Sequence, residues 1–198
     1  TPGLAVTRSS ARPGNEDLKF QIRGATSVNG GEPLVIIDGV PALNGYSFQN
    51  MNSDDIENIS VLKDGAASIY GAKAANGVIL ITTKKGKAGM QRITFSSNLT
   101  VDHAISLPEF QNRYGASGET SWGAENASMK AYDNVGDYFS NGVTATNSLS
   151  VTAGKEKMQT YFSYANTTAS GIVDVNKLQK HNITFRETAS LFNERLTL

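Results

Sequence analysis

Short, continuous apolar runs mark the first part of the chain. Two such runs lie at 34–37 and 78–83, and the segment 59–62, which is apolar except for Ser60, predicts another strand. Runs of this length, rich in β-branched residues and bounded by glycine or proline, are typical of buried strands. A further segment, 18–22, alternates apolar with polar residues and predicts one more strand.

Two helix starts are predicted between these runs. Asn52 precedes two acidic residues and is an N-cap candidate for a brief helical turn. Asp64 is placed to cap a short helix that continues through Tyr70, and Gly71 is placed to end it in the left-handed conformation. The first part of the chain therefore predicts a mixed α+β unit with a small core. The lysines that follow the last run are expected to form a solvated turn: Lys84, Lys85 and Lys87.

Beyond Gly89 the pattern becomes an alternation of apolar and small polar residues. It covers 93–101, 148–153, 158–168 and 181–188, which predicts four antiparallel strands. In the third of these, Phe162 and Tyr164 lie on one face and Tyr161 on the other. The pattern alone leaves the register of that strand open.

The connections between these four strands are unequal in length. About 40 residues connect the first strand to the second, four connect the second to the third, and roughly ten connect the third to the fourth. Soluble sandwiches also alternate, whereas long strands with long loops at one end and short turns at the other are typical of outer-membrane barrels. Both interpretations stay open here. The smallest membrane barrels need about eight strands, so a barrel implies that this sequence is a piece of a longer chain. A sequence that runs from Thr1 to Leu198 and stops within a strand agrees with that expectation.

Composition narrows the class of function. The 18 basic and 18 acidic residues balance, so no basic stripe indicates nucleic-acid binding. Cysteine is absent and histidine occurs only at His103 and His181, which argues against thiolate catalysis and His/Cys metal sites. Motifs for nucleophilic catalysis or phosphate binding are missing. We therefore expect no enzyme, no cofactor and no metal. The absence of a long apolar run excludes only helical membrane proteins.

Three segments, 22–41, 55–64 and 67–86, resemble the plug of SusC/RagA-type TonB-dependent outer-membrane transporters in their order and spacing. The resemblance is tight over 18–88 and weaker beyond. It implies a plug domain at 1–88, with its N-terminal part missing, followed at 89–198 by about four first strands of a transmembrane β-barrel, with a long loop at 103–142.

The resemblance also implies a function and partners. It implies TonB-dependent import of a nutrient, a glycan oligomer or a peptide, across the bacterial outer membrane, with the plug gating the barrel lumen. It implies a SusD-like surface lipoprotein above the barrel, outer-membrane lipid around it, and a TonB complex acting on a segment ahead of the plug. A soluble or secreted β-rich carbohydrate-binding module is the alternative.

Individual residues receive roles from the same resemblance. Arg23 matches an arginine that pairs with barrel acids in related plugs, although a local pairing is the open alternative. Lys73 stands where the family often has arginine, and lysine lacks the bidentate fork. The residues expected at the motif turns of the plug are Gly24, Asp38, Gly39, Asp64, Tyr70, Gly71, Asn76 and Gly77. The aromatic residues of the long loop that are candidates for contact with a ligand or with the lipoprotein, or for packing on each other, are Tyr114, Trp122 and Tyr132.

Overall fold

The computed structural model describes residues 4–10, 12–16, 18–22, 31–42, 46–126, 133–191 and 196–197. We call residues 4–83 the N-terminal unit and the strands that follow residue 90 the C-terminal sheet. Arg23, Gly24 and Tyr132, for which the sequence predicts roles, lie outside the described residues.

The N-terminal unit contains two small sheets and short helical segments. Strands β1 (Leu4–Arg8) and β2 (Leu18–Ile22) form an antiparallel hairpin. The second sheet has the order β4-β3-β6-β5. Its strands are β3 (Leu34–Ile37), β4 (Val40–Pro41), β5 (Ile56–Leu62) and β6 (Val78–Thr83). The helical segments are α1 (Tyr46–Gln49) and the 3-10 helices Ser53–Asp55 and Asp64–Ala74.

Strand β6 is the centre of the N-terminal unit. It pairs in parallel with β3 and antiparallel with β5. Ile79 and Ile81 belong to one buried cluster and Val78 to another, so its apolar run is covered on both faces. Val78, Ile79 and Ile81 are at most 1% exposed. Each buried side chain of this size contributes about 1.5–3 kcal/mol. The four strands predicted in this half are confirmed, whereas β1, β4 and α1 carry no sequence signal that we recognised.

The second predicted helix differs in two respects. Asp64 is not its N-cap: the 3-10 segment begins at Asp64, and Lys63 occupies the cap position. Gly71 does not end the segment but forms a kink within it, with φ 70° and ψ −160°. This combination is accessible essentially to glycine alone and is not the left-handed helical conformation that we predicted.

The C-terminal sheet is antiparallel throughout, in the order β11-β10-β9-β8-β7. Its strands are β7 (Gln91–Asp102), β8 (Gly142–Lys155), β9 (Met158–Ser170), β10 (Lys177–Leu191) and β11 (Leu196–Thr197). The four predicted strands are confirmed and are longer than their patterns. The connections at 103–141, 156–157 and 171–176 keep the predicted inequality.

The two faces of the C-terminal sheet have opposite character. The inner face, which meets the N-terminal unit, carries the almost fully buried residues Tyr161, Ser163 and Ala165. On the outer face Phe162 and Tyr164 are exposed, which fixes the register that the sequence left open. The exposed apolar side chains of the outer face also include Ile93, Phe95, Leu99, Val101, Leu149, Ile183 and Phe185.

The segment between the N-terminal unit and the C-terminal sheet is held at both ends. Lys85 and Lys87 are exposed, as predicted for a solvated turn, whereas Lys84 is half-buried and bonded to the N-terminal unit. The backbone N–H of Lys84 donates to Asp55 O at 2.8 Å, and Lys84 Nζ donates to Asp54 O at 2.5 Å. The N–H of Gly89 donates to Gly154 O at 3.0 Å. A Cβ at Gly86 would lie 2.4 Å from the backbone nitrogen of Thr160. This position therefore requires glycine because of close packing, not because of its φ angle.

Among the described residues, no helix is both long enough and apolar enough to cross a membrane. The bounds of the two predicted domains, 1–88 and 89–198, remain a prediction; the structure places the change from one sheet to the other between Thr83 and Gln91.

Candidate functional site at the interface between the two bodies

Carboxylates of the N-terminal unit meet hydroxyl groups on the inner face of the C-terminal sheet. The 3-10 turn Ser53–Asp55 presents two of them. Its N-cap is Asn52, as predicted, whose Oδ1 accepts from the Asp54 N–H at 3.3 Å. The cap and the two bonds from Lys84 hold the turn from both sides. The turn is therefore fixed where its side chains reach the sheet.

Asp55 is the most enclosed of these carboxylates, at 4% exposed. Its Oδ1 accepts a hydrogen bond from the Tyr161 hydroxyl at 2.9 Å, and its Oδ2 accepts one from Thr184 Oγ1 at 2.7 Å. Tyr161 lies on β9 and Thr184 on the neighbouring β10, so one carboxylate bridges two strands. Since both oxygens have a donor, the cost of burying the carboxylate is offset.

Two further contacts flank Asp55. Ser148 on β8 donates through Oγ to Asp54 Oδ2. The side-chain amide of Asn182 on β10 donates to the backbone carbonyl of Asn50 at 2.7 Å. Together with Asp55, these contacts connect residues 50–55 to three successive strands of the sheet.

Asp38 forms a second anchor at a turn. It lies at φ 49° in the two-residue Asp38-Gly39 connection between β3 and β4, the hairpin turn type that Asp-Gly favours. Its carboxylate accepts hydrogen bonds from the Thr83 N–H at 3.0 Å and Thr83 Oγ1 at 2.7 Å. It also forms an ion pair with Arg186 on β10. The turn that the sequence predicts is therefore also a contact with the sheet.

The electrostatics of Asp38 favour its charged form. Burial raises the pKa of this carboxyl group, but the hydrogen bonds from Arg186 and Thr83 and the positive charge of Arg186 outweigh burial. The pKa therefore lies below its ordinary value. The side chains of Arg186 and Asp38 are 27% and 20% exposed, so solvent screens the pair only in part.

The other predicted plug residues lie away from this interface. Lys73 is exposed on the second 3-10 segment and forms no ion pair with any other described residue. Tyr70 packs against a buried cluster of Ile36, Ala67, Ala74 and Val78. Gly77 has φ 92°, and a Cβ there would lie 2.9 Å from Cδ1 of Ile22. Asn76, directly before it, is half-buried. Their assignment to a functional site remains a prediction.

The long loop brings two of the predicted aromatic residues together. The rings of Tyr114 and Trp122 pack at a centroid distance of 5.7 Å, and Trp122 remains 70% exposed. The Gln111 side chain holds this part of the loop, since its Nε2 donates to Tyr114 O at 2.9 Å and to Ser121 O at 2.5 Å. Contact of these rings with a ligand or a protein lid remains a prediction.

Sequence reasoning missed the groups that form the interface. We explained Asp54 and Asp55 by the helix start alone and assigned no role to the partners on the sheet: Ser148, Tyr161, Thr184 and Arg186. One signal was available: the odd placement of Tyr161 on the polar face of β9. No group of His, Cys, Asp and Glu within the described ranges is placed to hold a metal ion.

Comparison with known proteins gives this arrangement a context. The model of the family described as TonB-dependent Receptor Plug Domain matches residues 1–78. TonB-dependent receptor P26 of Formosa agariphila is 34% identical over 131 residues, which cover 65% of this chain and 13% of that protein. TonB-dependent receptor SusC of Bacteroides thetaiotaomicron is 29% identical over 217 residues, which cover 98% of this chain and 21% of SusC. The chain thus spans about a fifth or less of these relatives.

A solved structure shares the fold of both the N-terminal unit and the C-terminal sheet. The RagAB peptide importer in its "open-open" state superposes with a TM-score of 0.76 at 23% identity, covering 96% of this chain and 26% of that one. The N-terminal unit is thus a plug, and the C-terminal sheet is part of the surrounding β-barrel wall. The plug-domain model and the sequence relatives, SusC among them, place this chain among the TonB-dependent transporters.

Proposed function

We propose that the protein carrying this chain imports a nutrient, a glycan oligomer or a peptide, across the bacterial outer membrane, and that its plug gates the barrel lumen. The observation that carries this proposal is the hydrogen-bonded contact of Asp38, Asp54 and Asp55 with the inner face of the wall. A gate must stay closed at rest and yield to a mechanical pull.

A polar contact suits such a gate. When the plug moves, water replaces each lost hydrogen bond, so that the net cost is about 0.5–1.5 kcal/mol for a neutral bond and about 1.5–3 for a charged one. Separating an apolar interface would instead expose surface at about 25 cal/mol per Å². The plug core around Ile79 and Ile81 stays within the plug and does not have to open.

The exposed apolar side chains on the outer face of the wall support localisation of the protein in the outer membrane. Ile93 and Phe95 on β7 and Ile183 on β10 are 73%, 69% and 72% exposed, on one face of the sheet. An apolar face of this kind is stable against lipid and unfavourable in water. The soluble carbohydrate-binding module would leave that face in water, so we favour the transporter.

The proposal includes the partners that the family resemblance implies. A SusD-like lipoprotein would close the barrel from outside, and the Tyr114–Trp122 pair offers it, or the cargo, an exposed aromatic surface. The TonB complex would supply the pull. We retain Arg23 and Lys73 as candidates for further contacts with the barrel, and we assign the chain no catalytic role.

Uptake and localisation together test this function. The full-length protein should appear in the detergent-extracted outer-membrane fraction as a band whose mobility changes on heating. Cells that depend on it for a complex nutrient should stop growing when TonB is deleted. Recovery of the full-length protein wholly soluble without detergent would contradict the proposal, and so would growth that is indifferent to TonB.

A further inference from the structure

The end of strand β6 holds all three of the carboxylate residues that contact the wall. Thr83 is the last residue of β6, and Lys84 follows it. Thr83 donates to the carboxylate of Asp38 through its N–H at 3.0 Å and through its Oγ1 at 2.7 Å. Lys84 donates to two consecutive carbonyl groups, from its N–H to Asp55 O at 2.8 Å and from its Nζ to Asp54 O at 2.5 Å. Two neighbouring residues therefore connect contacts that lie far apart in the sequence.

Neither of these two residues bonds to the wall itself. Among the described residues, the side chains of Thr83 and Lys84 donate only to groups of the N-terminal unit. The wall is reached by the three carboxylates, whose partners there are Ser148, Tyr161, Thr184 and Arg186. Thr83 and Lys84 thus lie behind the carboxylates and can act on the wall only through them.

The pair lies between two rigid supports. On one side is strand β6, the buried centre of the N-terminal unit. On the other side is Gly86, where a Cβ would lie 2.4 Å from the backbone nitrogen of Thr160. Thr160 directly precedes Tyr161, which donates to Asp55. The linker therefore packs on the same stretch of β9 that provides a hydrogen bond to the carboxylate.

We propose that Lys84, with Thr83, is a positioning residue that holds the three carboxylates in register with the wall. The two bonds from Lys84 fix consecutive carbonyl groups of the 3-10 turn, and this fixes the direction in which its side chains leave the backbone. Hydrogen bonds weaken steeply when donor and acceptor are misaligned, so a turn without this support would lose its wall contacts. This inference rests on the proposed gating function and names the residues that keep the gate aligned.

Labelling of a single thiol behind the contact tests this role. Ala165 is 2% exposed on the inner face of β9 and is the register partner of Ser148. In the full-length protein with Ala165→Cys as its only cysteine, a membrane-impermeant maleimide should react only when the plug is displaced. We expect labelling about tenfold faster with Lys84→Met, because one hydrogen bond from a charged donor is lost. Lys84→Arg keeps a charged donor and should restore slow labelling.

Two further variants set the scale of this effect. Lys85→Met is the matched control, since Lys85 is the next residue and is exposed; it should label at the background rate. Thr83→Val removes the hydroxyl bond to Asp38 and keeps the N–H bond, so it should accelerate labelling by about threefold. Equal labelling rates with Lys84→Met and Lys85→Met would overturn the positioning role.

A combined variant separates positioning from a general loss of plug stability. With Asp54→Ala and Asp55→Ala together, the side chains that Lys84 positions are already absent. Lys84→Met should then change the labelling rate by less than about twofold. A lysine that only stabilises the fold of the plug would still accelerate labelling about tenfold in this background, and that result would overturn the inference.

Growth measured in parallel separates this inference from the proposed function. If growth requires TonB and the Asp54→Ala, Asp55→Ala protein labels rapidly, but Lys84→Met labels at the background rate, the positioning role is wrong and the gating function stands. If growth is indifferent to TonB, the import function is wrong, whereas the positioning role is decided by the labelling rates alone.

Discussion

Asp55 is the contact whose loss should most clearly release the plug from the wall. Its carboxylate is 4% exposed and accepts hydrogen bonds from Tyr161 and Thr184, at 2.9 Å and 2.7 Å. The change Asp55→Ala in the full-length protein removes both bonds and leaves two enclosed hydroxyl groups without this acceptor. Each hydrogen bond to a charged group contributes about 1.5–3 kcal/mol, so the loss of both bonds costs about 3–6 kcal/mol. Because each 1.4 kcal/mol is about tenfold, a cost of about 3 kcal/mol raises the population of displaced plug roughly a hundredfold.

A single engineered thiol reports that population. Residues 1–198 contain no cysteine, any cysteine elsewhere in the full-length protein is first replaced by serine, and Ser163 is 2% exposed on the inner face beside this contact. In a Ser163→Cys background, a membrane-impermeant maleimide should react only when the plug leaves the wall. We expect labelling about a hundredfold faster with Asp55→Ala than in the background alone. Glu57→Ala is the matched control, since its ion pair with Lys87 is exposed and contributes little.

The two donors provide an internal check of the same reasoning. Tyr161→Phe and Thr184→Val each remove one hydroxyl group with little change of shape, and each should accelerate labelling about tenfold. Combined with Asp55→Ala, neither should add much, because the shared contact is already lost. Labelling with Asp55→Ala within threefold of the background would refute the view that this carboxylate holds the plug.

Three further changes probe other parts of the molecule. Asp38 has a lowered pKa in the folded state. Its contribution to stability is therefore present above the ordinary carboxyl pKa and is lost as the pH falls through the lowered value. In acid titrations of plug release, wild type and Asp38→Asn should differ at neutral pH and converge below about pH 4. Gly86→Ala should destabilise the protein by about 1–3 kcal/mol in urea unfolding, because the new Cβ would meet the β9 backbone at 2.4 Å, whereas Gly65→Ala, with nothing within 4 Å, should be nearly neutral. Phe95→Arg on the outer face should lower the free energy of folding into lipid vesicles by about 2–4 kcal/mol, whereas Thr94→Arg on the opposite face should be tolerated. Equal losses of folding free energy in these two variants would contradict the assignment of the faces.

The strands of both bodies followed from local patterns. The apolar run that begins at Val78 predicts a buried strand, and β6, which is covered on both faces, is that strand. Alternation beyond residue 90 predicts long antiparallel strands, and the pairing of β7 to β10 has that form. These predictions succeed because side-chain periodicity reflects which face of a strand is covered by other apolar groups. The Asp64 cap and the end of a helix at Gly71 failed because both rest on one residue and not on a period.

The face on which the apolar residues of the wall lie required the structure. In a soluble sheet the apolar side of an alternating strand turns toward the core, whereas here Phe95 and Ile183 point away from the plug. Periodicity gives two faces without saying which is inside. For the same reason, the register of β9 around Tyr161 was undecided until the plug was seen against it.

The sequence by itself determined the strands, the turn at Asp38-Gly39, and the likeness to SusC/RagA-type plugs. Only the tertiary structure decided which carboxylates hold the plug to the wall. The partners of Asp54, Asp55 and Asp38 on the wall lie between 94 and 148 residues away along the chain. At such separations no local propensity links the two groups. The packing of the plug against the wall brings these carboxylates and their partners together. In the sequence alone, the same acidic residues indicate no more than a helix start and a turn.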